Sequence, residues 1–206
     1  MIIIENALEH SLFQNLKGLI FNEQFPWYYI KTTGPADTGD DTYVYSFYHR
    51  FYEDSCGILN STLKPVIDTC IFNILERANQ HLDVKIILKD IYRSRTNLET
   101  IKPIYYEHTP HIDDMRKHIA AVLYMNDSDG DTIFYKQKFD PSLNMNWMEH
   151  LEYIKQNGGF EIEHRITPEQ NKIVLFDGAT YHSSFAPIKS HTRCVINFTF
   201  STEDYF

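Results

Sequence analysis

The chain has 206 residues, 43% of them apolar and 23% charged, with a formal net charge of −9. That length suffices for one well-buried core, and the composition excludes a disordered or fibrous protein. The acidic balance and scattered Lys and Arg argue against wrapping nucleic acid, and no apolar run approaches the roughly 20 residues of a membrane span.

Residues 1–4 are an apolar run that meets Glu5 at once. With no basic region and no cleavage signal, the run reads as a first strand and not as a secretory leader, which makes the cytoplasm the expected location. Residues 7–20 carry Leu8, Leu12, Phe13, Leu16, Leu19 and Ile20 at helical spacing. Segments 25–31 and 42–51 are aromatic and extended, and the polar, turn-rich stretch 33–41 between them reads as a connection and not a lid. A long helix is expected over 58–82, apolar at Leu59, Leu63, Ile67, Ile71, Ile74 and Leu75, with Pro65 near its start where proline is tolerated.

From residue 84 the pattern changes to short strands: 84–92, 118–125, 132–135, 171–176 and 193–200. A hairpin turn at 126–131 joins the second to the third, and Asp177-Gly178 closes the fourth. Between 136 and 167 the strands are interrupted by a helix at 147–156, ended by Gly158-Gly159. The 14 Tyr and 14 Phe favour a β-rich core. The expected fold is α+β in a single domain over 1–206: a jelly-roll core over about 86–202, supported by helices and strands over about 1–85. Cys56, Cys70 and Cys194 are too few and too dispersed for a disulfide framework or a thiolate zinc site.

His111-Ile112-Asp113 places two metal-ligand types two residues apart, so in an extended chain both point at one ion. His182, just past the Asp177-Gly178 turn, stands where a third ligand is needed. Two imidazoles and one carboxylate on one side of an iron ion leave positions for a bidentate co-substrate and O2. Arg193 opens the last strand, and its planar guanidinium suits a carboxylate. With Val195, Asn197 and Thr199 on its face and Cys194, Ile196, Phe198 and Phe200 on the other, an inward Arg193 needs an anion partner, which a bound dicarboxylate supplies.

The stretches EHTPHIDD, AAVLYMNDSDGDTIFY, NKIVLFDGATYHSSFAP and HTRCVINFTF resemble the successive core motifs of the prolyl-4-hydroxylase-like 2-oxoglutarate/Fe(II) oxygenases, with the character of small members from phage and marine bacterial genomes. The resemblance spans roughly residues 88–200. It implies a double-stranded β-helix fold, Fe(II) on His111, Asp113 and His182, and 2-oxoglutarate held at its distal carboxylate by Arg193 and Tyr124. Arg95 and Asn97, on the strand that corresponds to the one facing co-substrate and substrate, join Thr132 and Asn197 as pocket candidates. The implied reaction couples decarboxylation of 2-oxoglutarate to hydroxylation by O2, with ascorbate as accessory reductant. The substrate expected first is a peptidyl proline or another protein side chain, then a free amino acid or small metabolite. A zinc hydrolase on the same ligands and a non-catalytic jelly-roll module are the rivals, the first disfavoured by Arg193 and Tyr124. The segment between Tyr135 and Asn171 is longer than in the simplest members, so substrate identity is not inherited.

The remaining candidates have plainer readings. His81-Leu82-Asp83 repeats the pair at the end of a helix, where its members diverge by about 200° at about 3.6 residues per turn, and is read as surface. His108 is expected to face the opposite way from His111, in an outer-shell or exposed role, and His118 and His191 to be surface residues. His49, His150 and His164 have no ligand partner at useful spacing, and Ser183-Ser184 lacks the context of a nucleophile elbow. The aromatic residues of 27–52 are read as sheet packing more than as a substrate cleft.

Overall fold

The amino-terminal run forms β1 (Ile2–Ile4), paired antiparallel with β8 (Ile173–Asp177). The computed structural model describes residues 1–31, 45–56, 61–80, 82–83 and 85–203. The expected connection at 33–41 lies outside these residues, as do 42–44, 58–60 and His81. Asn171, in the left-handed region at φ 62°, accepts the Leu8 N–H on Oδ1 at 2.9 Å and donates from Nδ2 to the Leu8 carbonyl at 2.9 Å. That clamp takes the backbone bonds a helix would use, so α1 (His10–Ile20) begins at His10 and not at residue 7.

α1 buries Phe13, Leu16 and Ile20, and α2 (Lys64–Asn79) buries Ile67, Cys70, Ile71, Ile74, Leu75 and Ala78. The start of α2 is set by Ser61, whose hydroxyl accepts the Leu63 N–H at 3.2 Å, and by Pro65 in the first turn, where no intrahelical N–H bond is lost. Asn79 ends it by exchanging 2.9 and 2.7 Å bonds with the backbone of Ile86.

Both helices pack on the outer face of a seven-stranded antiparallel sheet. It comprises β1, β8, β5 (Ile119–Tyr124), β10 (Thr192–Thr202), β4 (Leu88–Thr100), β3 (Ser46–Glu53) and β2 (Tyr28–Ile30), in that order. A smaller sheet holds β7 (Ile162–Ile166), β6 (Thr132–Lys138) and β9 (Thr180–Ser184), and isolated bridges at Glu107 and His111 run along β9. From β4 onward the chain passes from large sheet to small and back, a double-stranded β-helix as expected.

Alternation divides the strands between two apolar layers. Ile119, Ala121, Leu123, Ile196 and Phe198 face the helices, while Ala120, Val122, Tyr124, Val174, Phe176 and Val195 meet Phe134 of the small sheet. A third cluster packs α3 (Trp147–Gln156) on the far side of the small sheet through Leu151, Ile154, Ile133, Tyr181 and Ile112. Asn146 caps α3 reciprocally with Glu149, and the helix has the expected bounds.

Besides the helix starts, three strands differ from the sequence reading. β4 runs on to Thr100 because no turn former interrupts it. β7 was not expected as a strand, since its exposed sequence Ile-Glu-His-Arg-Ile carries no buried apolar face. β9, Thr-Tyr-His-Ser-Ser, is small and polar, and its place in the sheet follows from tertiary pairing with β6. Cys70 and Cys194 are free and buried, and burial pushes both thiols up to about 12, which leaves them inert at neutral pH. No described helix is long and apolar enough to cross a membrane.

Candidate metal centre

His111 and His182 are cross-strand partners. Each donates its backbone N–H to the other's carbonyl, at 2.9 and 3.0 Å, which brings the two rings to a centroid distance of 4.6 Å. Ile112 turns the opposite way, into the cluster beneath α3, so Asp113 returns to the side of His111. One ligand atom from each of His111, Asp113 and His182 lies within 4.8 Å of the others.

The protonation states suit a cation. Nδ1 of His111 lies 3.0 Å from the Thr109 carbonyl and Nδ1 of His182 lies 3.2 Å from the Thr180 carbonyl. A carbonyl only accepts, so each Nδ1 carries the hydrogen and each Nε2 presents its lone pair. Burial, aided by His182, pushes His111 down to about 4, and burial lowers His182 as well, so both imidazoles are neutral at neutral pH. For Asp113 burial acts upward, but the Arg93 guanidinium and the two imidazoles hold its carboxyl well below the usual range. Asp113 ion-pairs with Arg93 and stands 3.6 Å from His182 Nε2. Two neutral nitrogens and one full negative charge form the donor set of the facial triad of non-haem iron sites.

Arg193 is 5% exposed and lies in the same cavity as His111 and His182. Its Nε donates to the Gly130 carbonyl at 2.7 Å and its Nη2 to Thr132 Oγ1 at 2.8 Å. Thr132 Oγ1 also accepts the hydroxyl of the fully buried Tyr124 at 2.8 Å, which makes one chain of Tyr124, Thr132 and Arg193. Nη1 makes no hydrogen bond among the described residues and stands 3.6 Å from Glu99. Gly130 is required where it lies: a Cβ there would come within 2.5 Å of the Phe185 carbonyl and 2.8 Å of Arg193 Cδ.

No family model matches the chain, and no curated protein does. Solved structures do. An oxidoreductase of the 2OG-Fe(II) oxygenase family from Burkholderia pseudomallei aligns with a TM-score of 0.64 and 10% identity, over 97% of this chain and 84% of that one. The fold is that of the 2-oxoglutarate/Fe(II) oxygenases. A prolyl hydroxylase from Trichoplax adhaerens, in complex with a peptide fragment of hypoxia inducible factor, aligns with a TM-score of 0.57, 14% identity and coverage of 98% and 83%. The epimerase SnoN, in complex with Fe3+, alpha ketoglutarate and nogalamycin RO, aligns with a TM-score of 0.60, 11% identity and coverage of 98% and 78%.

Within this oxygenase fold, a cavity of about 70 Å³ is lined by His111, His182 and Arg193. Arg95, Asn97, Thr132 and Asn197, the pocket candidates, line it too. Of the aromatic residues of 27–52, Tyr48 reaches the cavity, Phe51 is buried in the core, and Tyr28 and Tyr29 are 54% and 61% exposed.

The sequence reading missed Glu99, and of its two places for His108, outer-shell or exposed, the exposed one does not hold. His108 is buried, lines the cavity, and bonds Glu99 through Nε2 at 2.9 Å. The cause is a bulge. Glu107 bridges Phe185 and His111 bridges His182, four steps on one strand against three on the other, so the parity argument fails across the extra residue. Burial raises Glu99, yet His108, Arg193 and Lys102 together hold it below its ordinary value, so it stays ionised. Its signal was present in the period-two series Arg93, Arg95, Asn97, Glu99.

His118 is a second correction. It is 1% exposed and not on the surface: its Nδ1 lies 2.7 Å from the Arg116 carbonyl, and its ring fills the space where a Cβ at Gly178 would stand, 2.1 Å away. His49 is a buried strut between the Pro26 carbonyl and Ser61, at 2.9 and 2.8 Å. His150 packs on Tyr181, and His164 and His191 are exposed.

Proposed function

We propose that the protein is a 2-oxoglutarate- and Fe(II)-dependent dioxygenase that hydroxylates a C–H bond of a peptidyl proline or another protein side chain. The observation that carries the reading is the convergence of two neutral imidazoles and one ionised carboxylate within 4.8 Å, in a cavity that also holds a buried arginine. When bound, iron and 2-oxoglutarate supply the oxidising chemistry: O2 cleaves the keto acid to succinate and CO2 and delivers its second oxygen atom to the substrate.

The chain's own residues do the rest. His111, Asp113 and His182 hold the ion, with the Thr109 and Thr180 carbonyls fixing both rings so that Nε2 faces it. Arg193 takes the distal carboxylate of 2-oxoglutarate on Nη1, while the Gly130 carbonyl and Thr132 keep the guanidinium from turning. Tyr124 adds its hydroxyl at the same end. Phe134 and Phe176 pack on the His182 ring at 6.2 and 4.9 Å and exclude water from that flank. The likeness to a prolyl hydroxylase in complex with a peptide supports a protein substrate. The likeness to SnoN supports a free amino acid or small metabolite as the second reading.

The test is an anaerobic titration with Fe(II) and 2-oxoglutarate, followed by air. The expected result is a visible charge-transfer absorption that requires both additions, then succinate. Neither signal in the folded protein, or both unchanged in His182→Ala, overturns the reading.

A further inference from the structure

The face of the large sheet that looks into the cavity carries more positive charge than the metal centre and Arg193 need. On β4, Arg93 and Arg95 project to this side. Arg95 stands directly across from Asn197 on one neighbouring strand and from Arg50 on the other. Among the described residues, Glu53 pairs with Arg50 and Asp113 pairs with Arg93. None of the ion pairs among the described residues includes Arg95.

Polar atoms around Arg95 are also unsatisfied. Arg93 Nε, Arg95 Nε, Asn197 Oδ1 and Thr199 Oγ1 are buried and have no hydrogen-bond partner among the described residues. They belong together, since Arg95 pairs with Asn197 and Arg93 with Thr199 in the β4–β10 register. Buried polar groups are nearly always paired, and a local group of exceptions marks a place where something else binds. Burial and the neighbouring Arg93 push Arg95 down to about 10, so it keeps its charge at neutral pH.

Resting on the oxygenase reading above, we propose that Arg95, with Arg93 and Asn197, forms a second anion site in the cavity, separate from the Arg193 site, which grips an oxyanion carried by the substrate to be hydroxylated. The chemistry is that of a carboxylate, from a free amino acid or other small acid, or from an acidic side chain of a peptide. An oxyanion takes the Nε–H groups of both arginines as charge-assisted donors, while Asn197 Oδ1, an acceptor, is left for an N–H or O–H of the same substrate. Held there, such a substrate lies beside Asp113, because Arg93 already reaches that carboxylate.

The probe is inorganic sulfate, titrated by calorimetry into protein held anaerobically with Fe(II) and saturating 2-oxoglutarate, with the charge-transfer absorption followed in parallel. Sulfate is expected to bind without loss of the absorption. Arg95→Gln should weaken that binding at least about tenfold, as for truncation of one member of a buried charged contact, while affinity for 2-oxoglutarate holds. Arg95→Gln should fold with an undiminished Tm, because it removes a buried charge that Arg93 repels and that forms no ion pair among the described residues. Succinate release then separates the sources: free amino acids and acidic peptides are compared with their carboxamide counterparts, and only carboxylates should stimulate.

Absence of sulfate binding, binding unchanged in Arg95→Gln, or equal stimulation by carboxamides overturns the proposal. So does weakened 2-oxoglutarate binding in Arg95→Gln, which would assign Arg95 to the co-substrate. Loss of the absorption as sulfate is added would place the anion at the Arg193 site and likewise overturn the proposal, whereas no absorption before sulfate is added would instead remove the oxygenase reading itself.

Discussion

At Asp113 two cations draw on one carboxylate. The metal would bind it, and Arg93 already does, which keeps the carboxylate ionised inside the protein. Asp113→Asn is therefore expected to do two separable things. It abolishes Mn(II) or Fe(II) binding, and it leaves Arg93 buried without its charge partner, lowering the stability of the metal-free protein by roughly 1–3 kcal/mol. Unchanged metal affinity would remove Asp113 from the ligand set. The histidines predict a pH dependence. His111 falls from 6.5 in the unfolded chain to about 4 in the folded one, so between those values the unfolded state binds the extra proton. Metal-free stability should therefore decline as pH falls from 6.5 towards 4, with Asp113 adding a further loss below its ordinary value of 3.8. Urea midpoints measured across that range check the sign, and a flat profile contradicts the burial of a neutral His111. The triad was legible because two-residue alternation survives at 111–113. Glu99 with His108 was not, because an extra residue at 107–111 reverses the parity on which such reasoning depends.

Among elements, the hairpin between β5 and β6 does the finest positioning. Gly130 lets the backbone pass over the Arg193 side chain while its carbonyl accepts the Nε–H. Gly130→Ala should displace the guanidinium, raising KM for 2-oxoglutarate at least about tenfold through the lost charge-assisted bonds, with Mn(II) affinity unchanged because the ligands lie on other strands. A parallel fall in metal affinity would show that the hairpin supports the whole cavity. The turn was legible in Asp127-Ser128-Asp129-Gly130, as was α3, whose period and capping box agree. β9 was not, although it carries His182: a strand of Thr, Tyr, His and Ser has no apolar alternation and owes its place to β6. The late start of α1 was hidden for a like reason, since the clamp on Leu8 comes from Asn171, far along the chain.

Over the whole molecule, the large sheet separates two interiors, one against the helices and one around the cavity. β10 divides its side chains between them, with Phe198 on the helix side and Arg193 on the cavity side. Phe198→Ala should therefore destabilise the protein by about 3–5 kcal/mol without changing Fe(II) or 2-oxoglutarate affinity in the surviving fold. Thermal denaturation beside metal titration distinguishes this from a mutation that reaches the site. The jelly roll was legible from these two-faced strands, whose alternation requires a layer on each side. The pocket floor was less so, because the charges of β4 look like an exposed edge until β3 is laid beside it.

The pairing of His111 with His182 has a consequence beyond ligation. The run from 106 to 111 meets β9 and the residues after it through scattered backbone bonds, His111 with His182, His108 with Ser184 and Tyr106 with Ala186, and forms no continuous strand on that border among the described residues. A divalent cation would act as a rivet there, fastening a loosely stitched hem. Stripping it with a chelator should expose 107–113 to proteases and leave β9 open to pairing with other chains, so that cleavage and aggregation rise together. Mn(II) should reverse both, though Mn(II) performs no oxidation.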